Sequence, residues 1–186
     1  MKNFKNVMFA AVMGLVAAFG VTACSSAHAG DIWATANSVQ SAGTQVYRGE
    51  VGVRGDVTQN FFVDGALRTL HVAHDGQNYT SEAEIGGGVK LPVGIFTPYA
   101  RAFYVVQSEN YGFELGSKVK VTDTVFGQAS FKRFVGDGKV VNRDEGRVGA
   151  GLNLGSGFAV AANYLVIKTA DVKNAHGAEL TLSKSF

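Results

Sequence analysis

Apolar and polar residues alternate with a period of two along most of this chain. Between residues 47 and 57, Tyr47, Val51 and Val53 fall on one face, and Arg48 and Glu50 fall on the other. A period of two places successive side chains on opposite sides of a β-strand, whereas a helix would repeat every 3.6 residues. The same pattern recurs in eight further segments, which are residues 61–72, 79–91, 100–106, 113–121, 125–132, 147–154, 158–166 and 178–186.

Alternation alone does not say which face is inside. In a soluble sandwich the apolar face packs inward, whereas in a barrel that spans lipid the apolar face points outward. The last segment favours lipid, because Leu180 and Leu182 alternate with Glu179 and the chain ends in the aromatic Phe186. Lys184 interrupts this apolar face, and we expect its long side chain to extend towards headgroups.

The amino-terminal segment predicts export. Lys2 and Lys5 precede the apolar residues 7–21, and the small-x-small site 27–29 follows, so residues 1–29 read as a cleaved signal peptide. Residues 30–186 then form one domain. An alternative is that residues 21–26 act as a lipobox and that Cys24 becomes the acylated first residue, which mass spectrometry of the mature amino terminus would decide.

The strand count follows from the connections. Residues 58–60, 122–124 and 155–157 predict tight turns, whereas residues 75–78, 107–111, 135–146 and 169–176 predict longer polar loops on the opposite side. Bacterial barrels have an even number of strands. A tenth strand is therefore expected at residues 32–39, which would place Trp33 near a membrane interface. We predict ten strands, with eight as the alternative, and a β-bulge near Thr69.

The polar faces carry nearly balanced charge. If these faces point inward, the lumen contains the ionisable residues Arg48, Glu50, Arg54, Asp56, Asp64, Arg68, Glu82, Glu84, Lys90, Arg101, Glu114, Lys118, Lys120, Lys132, Arg147 and Glu179. Buried charges are costly unless paired, so a salt-bridge network that fills the barrel is expected. The alternative is a narrow, charge-lined pore for ions or very small solutes.

Composition and motifs exclude other classes. The chain has 24 glycines, 13 phenylalanines, 6 tyrosines and only 2 prolines, and its net charge of +2 includes no basic block that would indicate a nucleic-acid partner. Hydrolysis could be supported by Asp75 and Ser81 together with one histidine, either His71 or His74. A metal could be bound by these two histidines together with His176. Neither has specific spacing, so we predict no catalytic residue, cofactor or metal site.

The leader, the alternating segments and the terminal Phe186 resemble the small outer-membrane β-barrel proteins of Gram-negative bacteria, in the broad OmpA-like, OmpX-like and opacity-type group. The resemblance implies an antiparallel up-and-down barrel in outer-membrane lipid, assembled by machinery that reads the final strand. The resemblance is compatible with adhesion, envelope stability, narrow pores and occasional lipid enzymes, and our leading hypothesis is a non-enzymatic structural or narrow-pore role. The alternatives are surface interaction with a partner through loops 135–146 and 169–176, and a lipid-anchored soluble barrel.

Overall fold

The computed structural model describes residues 29–41, 44–73, 78–135, 143–169 and 174–186. The proposed signal sequence up to residue 28, including Cys24, lies outside these residues and stays a prediction. The described part of the chain contains ten strands: β1 Gly30–Ser41, β2 Thr44–Asp56, β3 Phe61–Ala73, β4 Asn78–Lys90, β5 Phe96–Val105, β6 Asn110–Lys120, β7 Val125–Val135, β8 Arg143–Gly155, β9 Phe158–Thr169 and β10 Ala175–Ser185.

The strands form one closed antiparallel barrel. Each strand pairs with its neighbours in sequence, and β1 pairs with β10 to complete the ring, with Trp33 opposite Ser183. Closure leaves no strand edge unpaired, which is the condition for a sheet to span lipid. The tenth strand expected at residues 32–39 is confirmed as β1, and the eight-strand alternative is wrong.

The apolar face of each strand points outward. Many large aliphatic side chains of these faces are half or more exposed, among them Leu67, Ile85, Leu115 and Val148 at 51–59%. A surface of this kind would be unfavourable in water and is stable against acyl chains. The orientation of the two faces is therefore that of a barrel in lipid, as the sequence predicts.

The two ends of the barrel differ. The terminal end carries Gly30 and Phe186, whose backbones are joined by a hydrogen bond of 2.9 Å from the Phe186 amide to the Gly30 carbonyl. The opposite end is called the distal end. Aromatic rings are exposed towards both ends, with Phe61, Phe96, Phe158 and Phe186 at the terminal end and Tyr104, Tyr111 and Tyr164 in the distal half. Such aromatic belts are typical of the two interfaces of a membrane barrel.

Tight turns close the terminal end. Between β8 and β9, Ser156 and Gly157 have φ angles of 50° and 80°. Positive φ at both central residues defines a turn whose twist matches the flanking strands. At Gly157 a Cβ would approach the backbone carbonyl of Ser185, so glycine is required there for space as well as for conformation.

Two local expectations are wrong. The expected bulge near Thr69 is absent, because Thr69 pairs in regular register with Gly49 on one side and Ser81 on the other. The change of pattern there arises because the apolar Leu70 lies on the inward face with Arg68. The register shift found in the described strands lies between Asn153 and Gly155.

The connection expected at residues 135–146 is also shorter than predicted, since β7 continues to Val135 and β8 begins at Arg143. None of the described residues forms a helix that is long and apolar enough to cross a membrane.

Candidate functional site

The ionisable residues of the inward face meet in the lumen. Alternation places them on one face of their strands, which is the inward face of the barrel, and barrel closure brings strands that are far apart in sequence to within reach of one another. The interior is organised around two glutamates, Glu84 on β4 and Glu145 on β8. Both are almost completely buried, at 3% and 0% exposure.

Glu84 is the first centre. The Lys132 ammonium donates to both carboxylate oxygens at 2.8 and 2.7 Å. Arg101 donates to Oε1 at 2.6 Å, and Arg68 reaches Oε2 at 3.5 Å. Three cations from three strands therefore converge on one carboxylate, and this pairing offsets the cost of burying its charge.

Glu145 is the second centre. Arg48 from β2 forms a bidentate contact with its carboxylate at 2.9 and 3.3 Å, and Arg147 donates to Oε2 at 3.0 Å. Arg143 lies 3.1 Å from Oε1. Glu145 and Arg143 are not among the lumen residues predicted from the sequence, because the sequence pattern places both in a loop. The sequence did indicate their orientation, since both residues alternate in step with Arg147 and therefore lie on the same face of β8.

The remaining charges link the two centres and extend the network. Arg68 donates to Glu50 at 2.7 Å and lies 3.5 Å from Glu82. Arg147 also reaches Glu179 at 3.3 Å and Glu114 at 3.9 Å. Contacts of the same kind join Arg101 to Asp64 and Glu114, Arg54 to Asp64, and Lys90 to Asp56.

Lys118 and Lys120 lie nearer the terminal end. Lys118 lines the lumen and stands 3.7 Å over the Phe126 ring. Lys120, in contrast, is 59% exposed and pairs at 2.6 Å with Asp123 in the following turn, so it belongs to the rim and not to the interior. The hydrogen bond from Lys120, together with its charge, lowers the pKa of Asp123 below its usual range.

Apolar side chains cover the network on its distal side. Val39, Phe103, Val105, Phe134 and Leu165 point inward towards the distal ends of their strands and are 0–5% exposed. Phe103 and Phe134 meet edge to face, with ring centroids 5.1 Å apart. The Lys132 ammonium lies 4.3 and 5.0 Å from these two rings. We call these five residues the distal layer.

The terminal half of the lumen is open. It contains a cavity of about 550 Å³ that extends from mouth residues such as Asp31 and Ser185 to Glu84 and Lys132. We call this cavity the vestibule. Trp33 lines it and donates its indole N–H to Glu50 at 3.1 Å, so the expectation that this ring lies at the membrane interface is wrong. The Glu50 carboxylate, whose side chain is 16% exposed, provides the acceptor for the indole N–H.

The other candidate chemistry is not assembled in the described part of the chain. Ser81 points outward, and Asp75 and His74 lie outside the described residues. His176 lies on β10, where Tyr164 Oη and its Nδ1 are 2.8 Å apart. Among the described residues, no cluster of three or more His, Cys, Asp or Glu side chains could hold a metal ion.

No protein-family model and no curated protein sequence matches the chain. Solved structures do match its fold. An outer membrane channel from Pseudomonas putida F1 aligns with a TM-score of 0.56 at 9% identity, over 86% of this chain and 95% of the other. The translocator domain of the autotransporter NalP from Neisseria meningitidis aligns with a TM-score of 0.45 at 13% identity, over 98% of both chains.

An anion-selective porin from Comamonas acidovorans aligns with a TM-score of 0.46 at 13% identity, over 79% of this chain. The alignment spans 57% of that porin's length. At these identities the likeness concerns the fold. The closed strand order, the apolar outer surface and the likeness to the Pseudomonas putida channel define a transmembrane β-barrel that resembles outer-membrane channels.

Proposed function

We propose that this protein is an integral outer-membrane barrel with a structural role, whose lumen is closed to solute flow by its own side chains. The observation that carries the proposal is the burial of the central lumen. Arg68 and Glu145 in the network, and Val105 and Leu165 in the distal layer, are at most 2% exposed. Side chains fill the interior of a barrel of about eight strands, and ten strands stay near that limit.

The even strand number supports an orientation with the terminal end in the periplasm and the distal end outside the cell. In that orientation the vestibule opens to the periplasm and the distal layer separates it from the exterior. Assembly machinery that reads the final strand would meet β10 and the Phe186 that follows it, whose ring centroid lies 5.1 Å from the Lys184 ammonium. This contact lets Lys184 occupy the apolar face near the rim.

Planar-bilayer recording of the refolded protein tests the closed lumen. We expect no single-channel steps above background at several salt concentrations. A variant with Phe103→Ala and Phe134→Ala should produce steps, because it removes both rings of the distal layer. Phe131→Ala, which removes an exposed ring from the outward face of the same strand as Phe134, is the control and should remain silent. Regular steps from the unaltered protein would overturn the proposal.

A narrow pore is the second candidate function, and the vestibule supports it. The cavity already spans the terminal half of the lumen and stops at Glu84 and Lys132. Movement of the distal layer would then join it to the exterior. Two results together would favour this candidate: single-channel steps in the unaltered protein, and a different ion selectivity of the steps in the Lys132→Met variant. Charges that line a lumen set its selectivity. Surface interaction through the predicted loops stays a prediction, since residues 136–142 and 170–173 lie outside the described residues.

A further inference from the structure

The vestibule has the size and shape of a small-molecule site. Its volume of about 550 Å³ lies within the range of roughly 300–1,000 Å³ that is usual for ligand pockets. It is open at the terminal end and ends inside the barrel at the charge network. A solute can therefore enter it and bind without crossing the barrel.

The inner end of the vestibule offers a ligand little unpaired charge. Glu84 accepts from Lys132 and Arg101, and Glu50 accepts from Arg68 and Trp33. The Asp64 Oδ1 atom accepts two hydrogen bonds from Arg101, at 2.9 and 2.6 Å. These carboxylates are neutralised by their own partners, so they do not repel an anion strongly.

Two cations in the vestibule wall are less well paired. Lys118 makes no salt bridge with any described residue, and its ammonium rests on the Phe126 ring at 3.7 Å. The nearest ion-pair contact of Arg54 is to Asp64 Oδ2 at 3.5 Å, and the Arg54 side chain is 25% exposed. Its guanidinium lies 4.1 Å from the centroid of Phe62. Each cation therefore has an aromatic face on one side and retains N–H donors for an acceptor.

The other charged residues of the wall, Lys90, Glu114, Arg147 and Glu179, are held in ion pairs of the network. Hydroxyl side chains are frequent in the wall and include Thr35, Thr97, Ser117, Ser130, Thr181 and Ser183. Asp31 lies at the mouth, where it accepts a hydrogen bond from the Ser185 hydroxyl. Hydroxyl groups suit the polar body of a ligand, and ammonium and guanidinium groups suit a carboxylate.

We propose that the vestibule binds a small organic carboxylate, whose carboxylate is held by Lys118 and Arg54 and whose polar body meets the hydroxyl-lined wall. The proposal does not depend on whether the lumen conducts. It predicts a binding site that is reached from the terminal end and that prefers a small carboxylate to an uncharged sugar of similar size.

Trp33 is the one tryptophan of the chain and lies in the vestibule wall, so its fluorescence reports on occupancy. The refolded full chain in detergent is titrated with gluconate and, separately, with glucose at constant ionic strength. We expect a saturable change in Trp33 emission with gluconate and none with glucose. Equal responses to both, or no saturable response to gluconate, would overturn the proposal.

Variants assign the binding to the two cations. Lys118→Met and Arg54→Met keep an apolar stem, and each should weaken gluconate binding about tenfold or more, since each removes charge-assisted hydrogen bonds. Asp31→Asn should strengthen binding by removing the anion at the mouth. Lys120→Met changes the same charge two residues along β6, on the rim, and is the matched control that should leave binding within twofold.

Heat-modifiable gel mobility shows which variants are folded. Lys118 has no salt bridge to lose among the described residues, so Lys118→Met keeps the test decisive even if Arg54→Met does not refold. Unchanged gluconate affinity in folded Lys118→Met, or an equal loss in Lys120→Met, would contradict the assigned site.

Discussion

Arg48 and Glu145 are 97 residues apart in the chain, yet their side chains form a bidentate ion pair inside the barrel at 2.9 and 3.3 Å. Their side chains are 3% and 0% exposed. The pair joins β2 to β8 across the lumen. Strands that share no backbone hydrogen bonds are therefore held together by charge, and the interior has the role that an apolar core has in a soluble protein.

Loss of the Glu145 charge should destabilise the barrel. Glu145→Gln leaves Arg48, Arg143 and Arg147 without their common carboxylate, and removal of one member of a buried ion pair costs about 3–5 kcal/mol. Urea unfolding of the refolded protein in detergent measures the free energy. Glu109→Gln, at an exposed position between β5 and β6, is the matched control and should change it by less than about 0.5 kcal/mol.

Glu84 and Lys132 should be energetically coupled. Glu84→Gln leaves the buried Lys132 ammonium without this carboxylate, and Lys132→Met leaves Glu84 with Arg101 and Arg68 only, whereas the double variant removes both charges at once. We expect the double variant to lose less stability than the two single variants together, with a coupling energy of about 0.5–3 kcal/mol. A double-mutant cycle of urea unfolding measures this coupling. Strict additivity would show that the contacts at 2.8 and 2.7 Å do not contribute to stability.

Gly151 should not tolerate a methyl group, whereas Gly146 should. A Cβ at Gly151 would meet the Phe126 ring and would come within 2.6 Å of the Val160 carbonyl, but a Cβ at Gly146 meets nothing within 4 Å. Gly151→Ala should cost about 1–3 kcal/mol, because an overpacked interior forces neighbours to move. Gly146→Ala, on the same strand, should be neutral or slightly stabilising. Equal effects would contradict the packing of Phe126 against Gly151.

The outward face can be tested with spin labels. In the chain without residues 1–29, which contains no cysteine, a nitroxide at Leu115→Cys should be relaxed by oxygen, which concentrates in acyl chains. A nitroxide at Ser130→Cys faces the vestibule and should instead be relaxed by a water-soluble nickel complex. Power-saturation spectroscopy in liposomes separates the two. The reverse pattern would mean that the charged face is outside and that the barrel does not span lipid.

Much of the fold could be predicted from the sequence because the information is local. Alternation assigns each side chain to one of two faces, and the terminal segments favour lipid outside. Ten strands follow from the predicted turns and from the even strand number of bacterial barrels, and β1 lies where this number requires an additional strand. The prediction for Trp33 is wrong because it considered only the preference of indole rings for membrane interfaces. Trp33 lies on the inward face of β1, together with Asp31 two residues before it and with Ser183 opposite it on β10.

The sequence by itself determined that Arg48, Arg101 and Glu179 lie on the polar face of their strands, since a strand has only two faces, and the terminal segments indicated that this face is the interior. The tertiary structure decided which charges pair, which half of the lumen is closed and where the vestibule lies. Glu84 meets Lys132, and Glu145 meets Arg48, only after ten strands close in one register. The physical reason is that the facing of a side chain is a property of its own strand, whereas a salt bridge across a lumen depends on the geometry of the whole ring.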